Sequence, residues 1–269
     1  MTAINTNVSA LKAQNALAIN ARSLNSAMEQ LSTGARVNSA KDDAAGLAIG
    51  TTLTSQIRGL NQAVRNANDG VNLLQTTEGA MVEQTNMLQR MRELAVQSVN
   101  ATNSDQQRGY LNKEFSELSS QIGAINEQTM WNSTNVLASG TLTFQVGNTS
   151  DTVFTVDIKD TTVAGLQISG ASIATATSAS SALASIDSAL DIVNDQRAQL
   201  GATMNRLTYT ADNLSNVSAN LAASRSNIMD TDYATASSQL SKTQIIQQAA
   251  TAMLAQANQQ PQSVLSLLK

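Results

Sequence analysis

The stretch LASIDSALDIVNDQRAQLGATMNRLTYTADNLSNVSANLAASRSNI, residues 183–228, decides the fold of this chain. Its apolar residues recur at spacings of three and four, the period of a helix that buries one narrow stripe. The stripe consists of Leu183, Ile186, Leu190, Val193, Leu200, Met204, Leu207, Ala211, Leu214, Leu221 and Ile228. Such a helix extends roughly 70 Å at 1.5 Å per residue. The stretch therefore predicts an elongated body made mainly of antiparallel α-helices.

Two arginines interrupt this stripe. Arg197 and Arg225 stand on the apolar register. They either pair with acidic residues across the bundle or lay their aliphatic stems on it with the charge in water. The sequence leaves both interpretations open.

The same period continues on both sides of the stretch. Gly34 follows the first periodic segment as a C-cap, and Ser39 with Asp42 resembles a capping box that opens a long second helix. The four further helices run from about Thr6 to Thr33, from about Ser39 to Asn100, from after the polar turn at Asn100–Asp105, and from after Asp230. We predict a helical bundle in which the terminal helices pair as a separate coiled coil.

The period changes to two in a short region at about 141–168. Alternating apolar residues flank a Gly147-Asn148 loop, which predicts a β-hairpin. The alternating residues are Leu142, Phe144 and Val146, then Phe154, Val156 and Ile158. Residues 159–180, rich in Thr, Ala, Ser and Gly, are expected to form an irregular connection.

Composition excludes most kinds of active site. The chain has no histidine and no cysteine, so Ser-His-Asp, Cys-His and thiolate-metal chemistry are absent. Asp42-Asp43 and the pair Asp230 and Asp232 stand at predicted helix starts, where capping explains them better than catalysis or metal binding. We therefore expect no enzyme, no cofactor and no metal.

Charge and hydropathy exclude two classes of partner. The net charge is −4 and basic residues form no long run, which argues against nucleic acid and anionic membranes. Polar residues interrupt the charge-free stretches 161–186 and 243–268, so neither is expected to span a bilayer. The N-terminus has neither the basic region nor the apolar run of a cleavable signal peptide.

Both ends of the chain carry seams of low charge. The residues that we assign to these terminal seams are Ile4, Val8, Leu11, Leu17, Leu24 and Leu31 at one end, and Ile246, Met253, Val264, Leu265, Leu267 and Leu268 at the other, with Ala250 and Ala257 between. The few large apolar side chains of the N-terminal segment cannot offset the backbone entropy of ordering it. We expect the ends to fold only when neighbouring molecules cover them.

Two long segments identify the family. The chain resembles bacterial flagellin in Ile4-Asn5-Thr6-Asn7, in LSTGARVNSAKDDAAG at 31–46 and in QANQQPQSVLSLL at 256–268. Flagellins usually carry a large variable insertion after the third helix, and only about fifty residues separate Trp131 from Leu183 here. The chain is therefore similar to a short flagellin that lacks the outer variable domains.

The resemblance implies a filament subunit with two domains. Residues 1–43 and 231–269 would form the inner core, and residues 44–230 the outer rod with its hairpin. The resemblance also implies a homopolymer, export of the unfolded chain by the flagellar type III apparatus to the extracellular flagellum, and encounters with an export chaperone, a filament cap and hook-junction proteins. A hook–filament junction protein remains the alternative within this system. A secreted effector acting on host cells would require a membrane-inserting span, which we do not find.

One segment resembles the part of flagellins bound by animal flagellin-sensing Toll-like receptors. It is QRMRELAVQ at 89–97, where Arg90, Leu94 and Gln97 are spaced four and three apart, and Glu114 matches a contact on the next helix. The other interpretation is that this face makes axial contacts between subunits. We expect assembly to be its primary role, with receptor recognition using the same residues.

Overall fold

Five helices and two pairs of short strands form the described part of the chain. The structure is a computed structural model; it describes residues 6–149 and 152–266, and the side chains of the last helix as far as Gln259. The helices are α1 (Val8–Thr33), α2 (Ala44–Val99), α3 (Asp105–Gln128), α4 (Ala176–Met229) and α5 (Tyr233–Ser266). The strands are β1 (Met130–Trp131), β2 (Thr134–Asn135), β3 (Gly140–Gln145) and β4 (Val153–Ile158). The predicted mainly α fold is confirmed.

The helix boundaries follow local capping chemistry. Gly34 ends α1 in the left-handed region at φ 72°, as predicted. The start of α2 was predicted too early. Asp42 only closes the turn before it, accepting the Ser39 hydroxyl at 2.9 Å, whereas Asp43 accepts the Gly46 N–H at 2.8 Å and caps the helix. The helix therefore begins at Ala44 because Asp43 satisfies its free N–H groups.

The predicted hairpin is confirmed. Strands β3 and β4 pair antiparallel, with Gly140 opposite Ile158 at one end and Gln145 opposite Val153 at the other. Strands β1 and β2 were not predicted, because they are two residues each and too short to show a period. Their turn places Asn132 and Ser133 at positive φ, 47° and 65°.

The chain divides into two units. One contains the residues up to Ile57 together with those from Ala219, and the other contains Arg58–Ser218. Helices α2 and α4 each contribute to both units. The domain boundaries expected from sequence lie 14 and 12 residues closer to the chain ends (57 − 43 = 14 and 230 − 218 = 12). Those boundaries stay predictions.

The second unit, Arg58–Ser218, is built around one apolar core. Side chains from α2, α3 and α4 meet there fully buried, among them Met81, Leu88, Phe115, Ile122 and Ile186. Residues 159–175 form no helix or strand, as expected, yet they are part of this core. Their buried side chains include Leu166, Ile168 and Ile173, because polar ties such as Ser98 Oγ to the Ile173 carbonyl at 2.5 Å hold the segment against the helices. The expectation of an irregular connection was wrong for residues 176–180, which form the first turn of α4.

Charged groups tie the helices of this second unit together. The buried Arg108 guanidinium donates to the carbonyls of Ser98 and Asn100 at 2.9 and 3.1 Å, which satisfies the end of α2. Arg197 pairs with Glu78 at 2.8 Å, so the pairing interpretation holds for this residue. Arg225 makes no ion pair with any residue in 6–149 or 152–266.

The described residues contain neither a helix suited to crossing a bilayer nor a group of side chains suited to holding a metal ion. None of the helices described combines the length and the apolar character that crossing a bilayer requires. Across the same residues, no three or more acidic side chains come together in a way that would hold a metal ion.

Candidate assembly surfaces

The terminal helices α1 and α5 pair antiparallel, and two asparagine amides tie them together. Asn7 Nδ2 donates to the Ala257 carbonyl at 2.7 Å, and Asn20 Nδ2 donates to the Thr243 carbonyl at 2.8 Å. Early residues of α1 thus meet late residues of α5. Asn20 and Thr243 are buried, at 7% and 2% exposure, which is uncommon for polar side chains unless they are hydrogen-bonded.

The α1 side of this pair is a seam of three alanines, three leucines and one asparagine. It consists of Ala10, Ala13, Leu17, Asn20, Leu24, Ala27 and Leu31, which alternate at spacings of three and four and are buried or half-buried. The predicted seam residues Leu17, Leu24 and Leu31 do lie on it. Val8 and Leu11 do not: they are 53% and 52% exposed, on the other side of the helix. Their placement on the pairing seam was wrong because the alanines at positions 10 and 13 face α5 instead.

The α5 side of the pair contains the predicted seam residues Ala250 and Ala257, but Gln247 and Leu254 lie where Ile246 and Met253 were predicted. It consists of Ala236, Leu240, Thr243, Gln247, Ala250, Leu254 and Ala257. Ile246 and Met253, which we predicted there, are 41% and 67% exposed. The hydrogen bond from Asn20 to the Thr243 carbonyl brings the Thr243 side of α5 against α1. Gln247 and Leu254 lie on the same side of the helix.

Five predicted seam residues lie outside what the structure describes. Ile4, Leu267 and Leu268 fall outside the described residues, and Val264 and Leu265 fall beyond the last described side chain of α5. Their assignment to the seams stays a prediction.

Large apolar side chains remain exposed on both terminal helices. Val8, Leu11 and Ile19 form one face of α1, with Ile19 58% exposed. On α5, Ile245 is 66% exposed and lies near the exposed Ile246 and Met253. Contiguous apolar surface of this kind marks an interaction site more often than it marks the outside of a monomer.

A backbone junction closes the terminal unit where α1 leads into α2 and α4 into α5. Ala35 forms an isolated antiparallel bridge with Asp230. Arg36 N–H donates to the Met229 carbonyl at 2.6 Å, and Thr231 N–H donates to the Gly34 carbonyl at 2.9 Å. Sequence reasoning missed this junction, since a single bridge leaves no periodic signal.

Two aspartates accept local hydrogen bonds next to the starts of α2 and α5. Hydrogen bonding by the Ser39 hydroxyl holds the pKa of Asp42 below its ordinary value of 3.8. The Thr235 hydroxyl and the backbone N–H of Ala234 lower the pKa of Asp232 in the same way. The contacts of Asp232 are those of the predicted helix cap. Asp42 instead closes the turn before α2.

The second candidate surface lies on α2 and α3 around Arg90. Its guanidinium donates to Glu93 and to Glu114, both at 2.9 Å, and joins the two helices. These bonds, to Glu93 first and then to Glu114, raise the pKa of Arg90 above its ordinary value. All three side chains are about half exposed, so the cluster is open to a partner.

Leu94 does not belong to this exposed face. Its side chain is 1% exposed and packs in the core of the second unit, while Arg90 and Gln97 are exposed. The prediction that the three residues share one contact face is wrong for Leu94. Spacings of four and three place residues within about 60° of one another, and here the boundary of the core passes between them.

An open groove borders the Arg90 cluster. It has a volume of about 560 Å³ and is lined by Gln89, Arg92, Glu93, Val96 and Gln97. Arg92 pairs with Asp187 of α4 at 2.7 Å, which raises the pKa of Arg92. Val96 is 50% exposed, so the groove offers an apolar side chain between charged rims.

Comparison with protein families gives two matches that together span most of the chain. Residues 4–141 match the bacterial flagellin N-terminal helical region, and residues 183–268 match the bacterial flagellin C-terminal helical region. The unmatched residues 142–182 contain most of the hairpin and the irregular segment after it.

Curated relatives extend over the full length. A flagellin of Halalkalibacterium halodurans is 45% identical over 99% of both chains. Flagellin FlaB1 of Treponema pallidum is 38% identical over 99% of both chains. Polar flagellin F of Vibrio parahaemolyticus is 34% identical in an alignment of 372 positions, so at least about a hundred of them (372 − 269 = 103) have no counterpart here.

Solved structures agree with these matches. The crystal structure of Bacillus cereus flagellin has a TM-score of 0.52 and 28% identity, covering 60% of this chain and 94% of that one. A putative flagellar hook-associated protein of Vibrio parahaemolyticus has a TM-score of 0.60 at 15% identity, covering 70% and 100% of the chains, which shows likeness of fold alone. With matched regions at both ends and full-length relatives, this chain belongs to the bacterial flagellin family.

Proposed function

We propose that the chain polymerises by burying the exposed apolar faces of α1 and α5 against neighbouring copies. The observation that carries this proposal is the exposure of Val8, Leu11, Ile19, Ile245 and Met253 on helices that already pair with each other. Pairing within the chain covers alanines and leucines of the facing seams, and these exposed side chains are left for contacts between molecules.

Membership of the family fixes the general role. The chain is a structural subunit of the flagellar filament, which lies outside the cell and serves motility, and it is not an enzyme. Full-length likeness to proteins named flagellin does not favour the hook–filament junction alternative. The two-domain division, 1–43 with 231–269 as inner core and 44–230 as outer rod, is part of the proposal.

Seeded elongation tests the polymerisation surface. Purified chain is dissociated by heat, short filament seeds are added, and elongation is followed by electron microscopy. A chain lacking residues 1–40 is expected to stay monomeric. A sharper variant, Leu11→Asn with Ile19→Asn, removes two exposed apolar side chains and should also fail to elongate, whereas Gln14→Asn on a neighbouring face should elongate. Normal elongation by the double variant would refute the assigned surface.

We also propose that the Arg90 cluster contacts a flagellin-sensing Toll-like receptor in an animal host. Support comes from the family resemblance at 89–97 and from the exposure of Arg90, Gln97 and Glu114. Leu94 contributes here by supporting the helix from inside. Reporter cells should respond less to Arg90→Ala than to the intact monomer, and normally to Arg65→Ala, an exposed arginine elsewhere on α2. Equal responses to all three proteins would dismiss the contact.

The same surface has an axial role in the proposal. In the filament, the Arg90 cluster and its groove would meet another subunit, with receptor access only in the free monomer. Arg90→Ala should then slow elongation of seeds as well as weaken the reporter response. An elongation rate equal to that of Arg65→Ala would remove the axial role and leave the receptor role intact.

The remaining partners follow from the export route. We propose that the chain leaves the cell unfolded through the flagellar type III apparatus, without a cleaved signal peptide, and meets an export chaperone, the filament cap and hook-junction proteins. A strain with the apparatus should release the full-length chain into the medium, and a strain without it should retain it. Release by both strains would contradict this route.

A further inference from the structure

Helix α1 has two apolar faces on nearly opposite sides. At 100° per residue, Val8, Leu11 and Ile19 fall together, and Ala10 and Ala13 fall on the side that meets α5. The outward residues are more than half exposed, while Ala10 is 8% exposed. The side that meets α5 also carries Leu17, Leu24 and Leu31, so each face has three large apolar side chains and apolar burial alone does not decide which one turns inward. Another interaction must hold the inner face against α5.

Two asparagine amides provide that hold. Asn20 stands within the seam and donates to the Thr243 carbonyl at 2.8 Å. Asn7 caps α1 by accepting the Ala10 N–H at 3.0 Å and donates to the Ala257 carbonyl at 2.7 Å. If α1 rotated so that the face with Val8, Leu11 and Ile19 met α5, both amides would be pulled away from their acceptors.

Thr243 suits this arrangement on the α5 side. Its hydroxyl donates back to carbonyls of its own helix, at 2.9 Å to Gln239 or Leu240, so it does not compete for the Asn20 amide. A short side chain at this position also lets the amide approach the carbonyl. The contact therefore depends on the face that α1 presents and on the residue opposite.

We propose that Asn7 and Asn20 lock the rotation of α1 on α5, so that Val8, Leu11 and Ile19 stay outward for neighbouring copies. The proposal rests on the proposed function, because it assigns those residues to contacts between subunits. A polar residue in a coiled-coil seam specifies the pairing geometry at a cost in stability. Here the cost is a buried amide where a leucine would bury more apolar surface.

Asn20→Leu separates stability from assembly. In assembled filaments, where neighbouring copies cover the chain ends, hydrogen exchange of the α1 and α5 amides should slow by about tenfold or more, because the new side chain adds apolar burial. Elongation of wild-type seeds should slow at least several-fold, since the lock is gone. Asn25→Leu makes the same chemical change at an exposed position of α1 and should leave exchange unchanged.

A second variant does not depend on gained stability. The natural chain has no cysteine, so Ala27→Cys with Ala236→Cys reports on the seam alone. Both positions are buried and lie seven residues from Asn20 and Thr243. In assembled filaments this pair should cross-link under mild oxidation, and several-fold more slowly when Asn7→Ala and Asn20→Ala are added.

The outcomes divide cleanly. The lock would be overturned if Asn20→Leu elongated seeds at the wild-type rate, or if it elongated them more slowly without slower hydrogen exchange. It would also be overturned if the cross-linking rate did not change when Asn7→Ala and Asn20→Ala were added. Failure of the wild-type chain itself to elongate seeds would instead refute the proposed function.

Discussion

Leu94→Ala should strongly destabilise the second unit, Arg58–Ser218, although the sequence pattern predicted that Leu94 shares a contact face with Arg90 and Gln97. Leu94 is 1% exposed and belongs to the same core as Met91 and Phe115. Truncating a fully buried leucine typically costs about 2–5 kcal/mol, from lost transfer energy and from the cavity left behind. Exposed side chains rarely cost more than about 0.5 kcal/mol.

Urea unfolding of the free chain, followed by circular dichroism, measures this cost. With a slope of about 2 kcal/mol per molar urea, the midpoint of Leu94→Ala should fall by about 1 to 2.5 M without a change in slope. Val96→Ala, two residues along α2 and 50% exposed, is the matched control and should move the midpoint by less than about 0.3 M.

The same pair of variants separates direct contact from support. Leu94→Ala should weaken the receptor response only as far as it lowers the fraction of folded chain. At a temperature where both variants are fully folded, their responses should therefore be equal. Equal midpoints for Leu94→Ala and Val96→Ala would refute the placement of Leu94 in the core, and with it the argument that Leu94 acts only by packing.

Three further outcomes follow from single residues. Gly34→Ala forces a side chain into φ 72° and should lower the melting temperature of filaments, costing about 1–2 kcal/mol, whereas Gly79→Ala meets nothing within 4 Å and should be neutral or stabilising. Arg108→Met removes buried hydrogen bonds to the end of α2 and should cost about 2–4 kcal/mol in urea unfolding, compared with less than about 0.5 for the exposed Lys113→Met. The folded pKa of Asp42 is depressed, so the stability that its carboxylate contributes is fully present above the ordinary value of 3.8 and is lost as pH falls through the lower folded value. The stability of Asp42→Asn filaments, followed by light scattering, should therefore change less with pH at the acid end.

The sequence predicted the helices of this protein well because each carries a long apolar period. The stripe from Leu183 to Ile228 lies within α4, and the hairpin appeared where the period changed to two. Features without a period were missed. The Ala35–Asp230 bridge and the β1–β2 pair are held by a few backbone hydrogen bonds, and nothing in composition or spacing records those.

Candidate surface residues were harder to predict than elements. Arg90 and Glu114 were expected to act together, and they do pair at 2.9 Å. Leu94 was misplaced because spacing fixes the angle between two residues on a helix and leaves open where the core ends. That boundary depends on Phe115 and on the helices packed opposite, which a single segment of sequence does not reveal.

The choice of seam on α5 has a physical meaning for a subunit of a polymer. Choosing the larger apolar residues selects Ile246 and Met253, but the chain pairs through Thr243, Gln247 and Leu254. A protein that folds for itself alone gains by burying its largest apolar side chains within the molecule. A subunit that must also bind copies of itself needs a second apolar register left uncovered. On α5 the two registers run side by side, so pairing through Thr243 and Leu254 leaves Ile246 and Met253 uncovered and available for assembly.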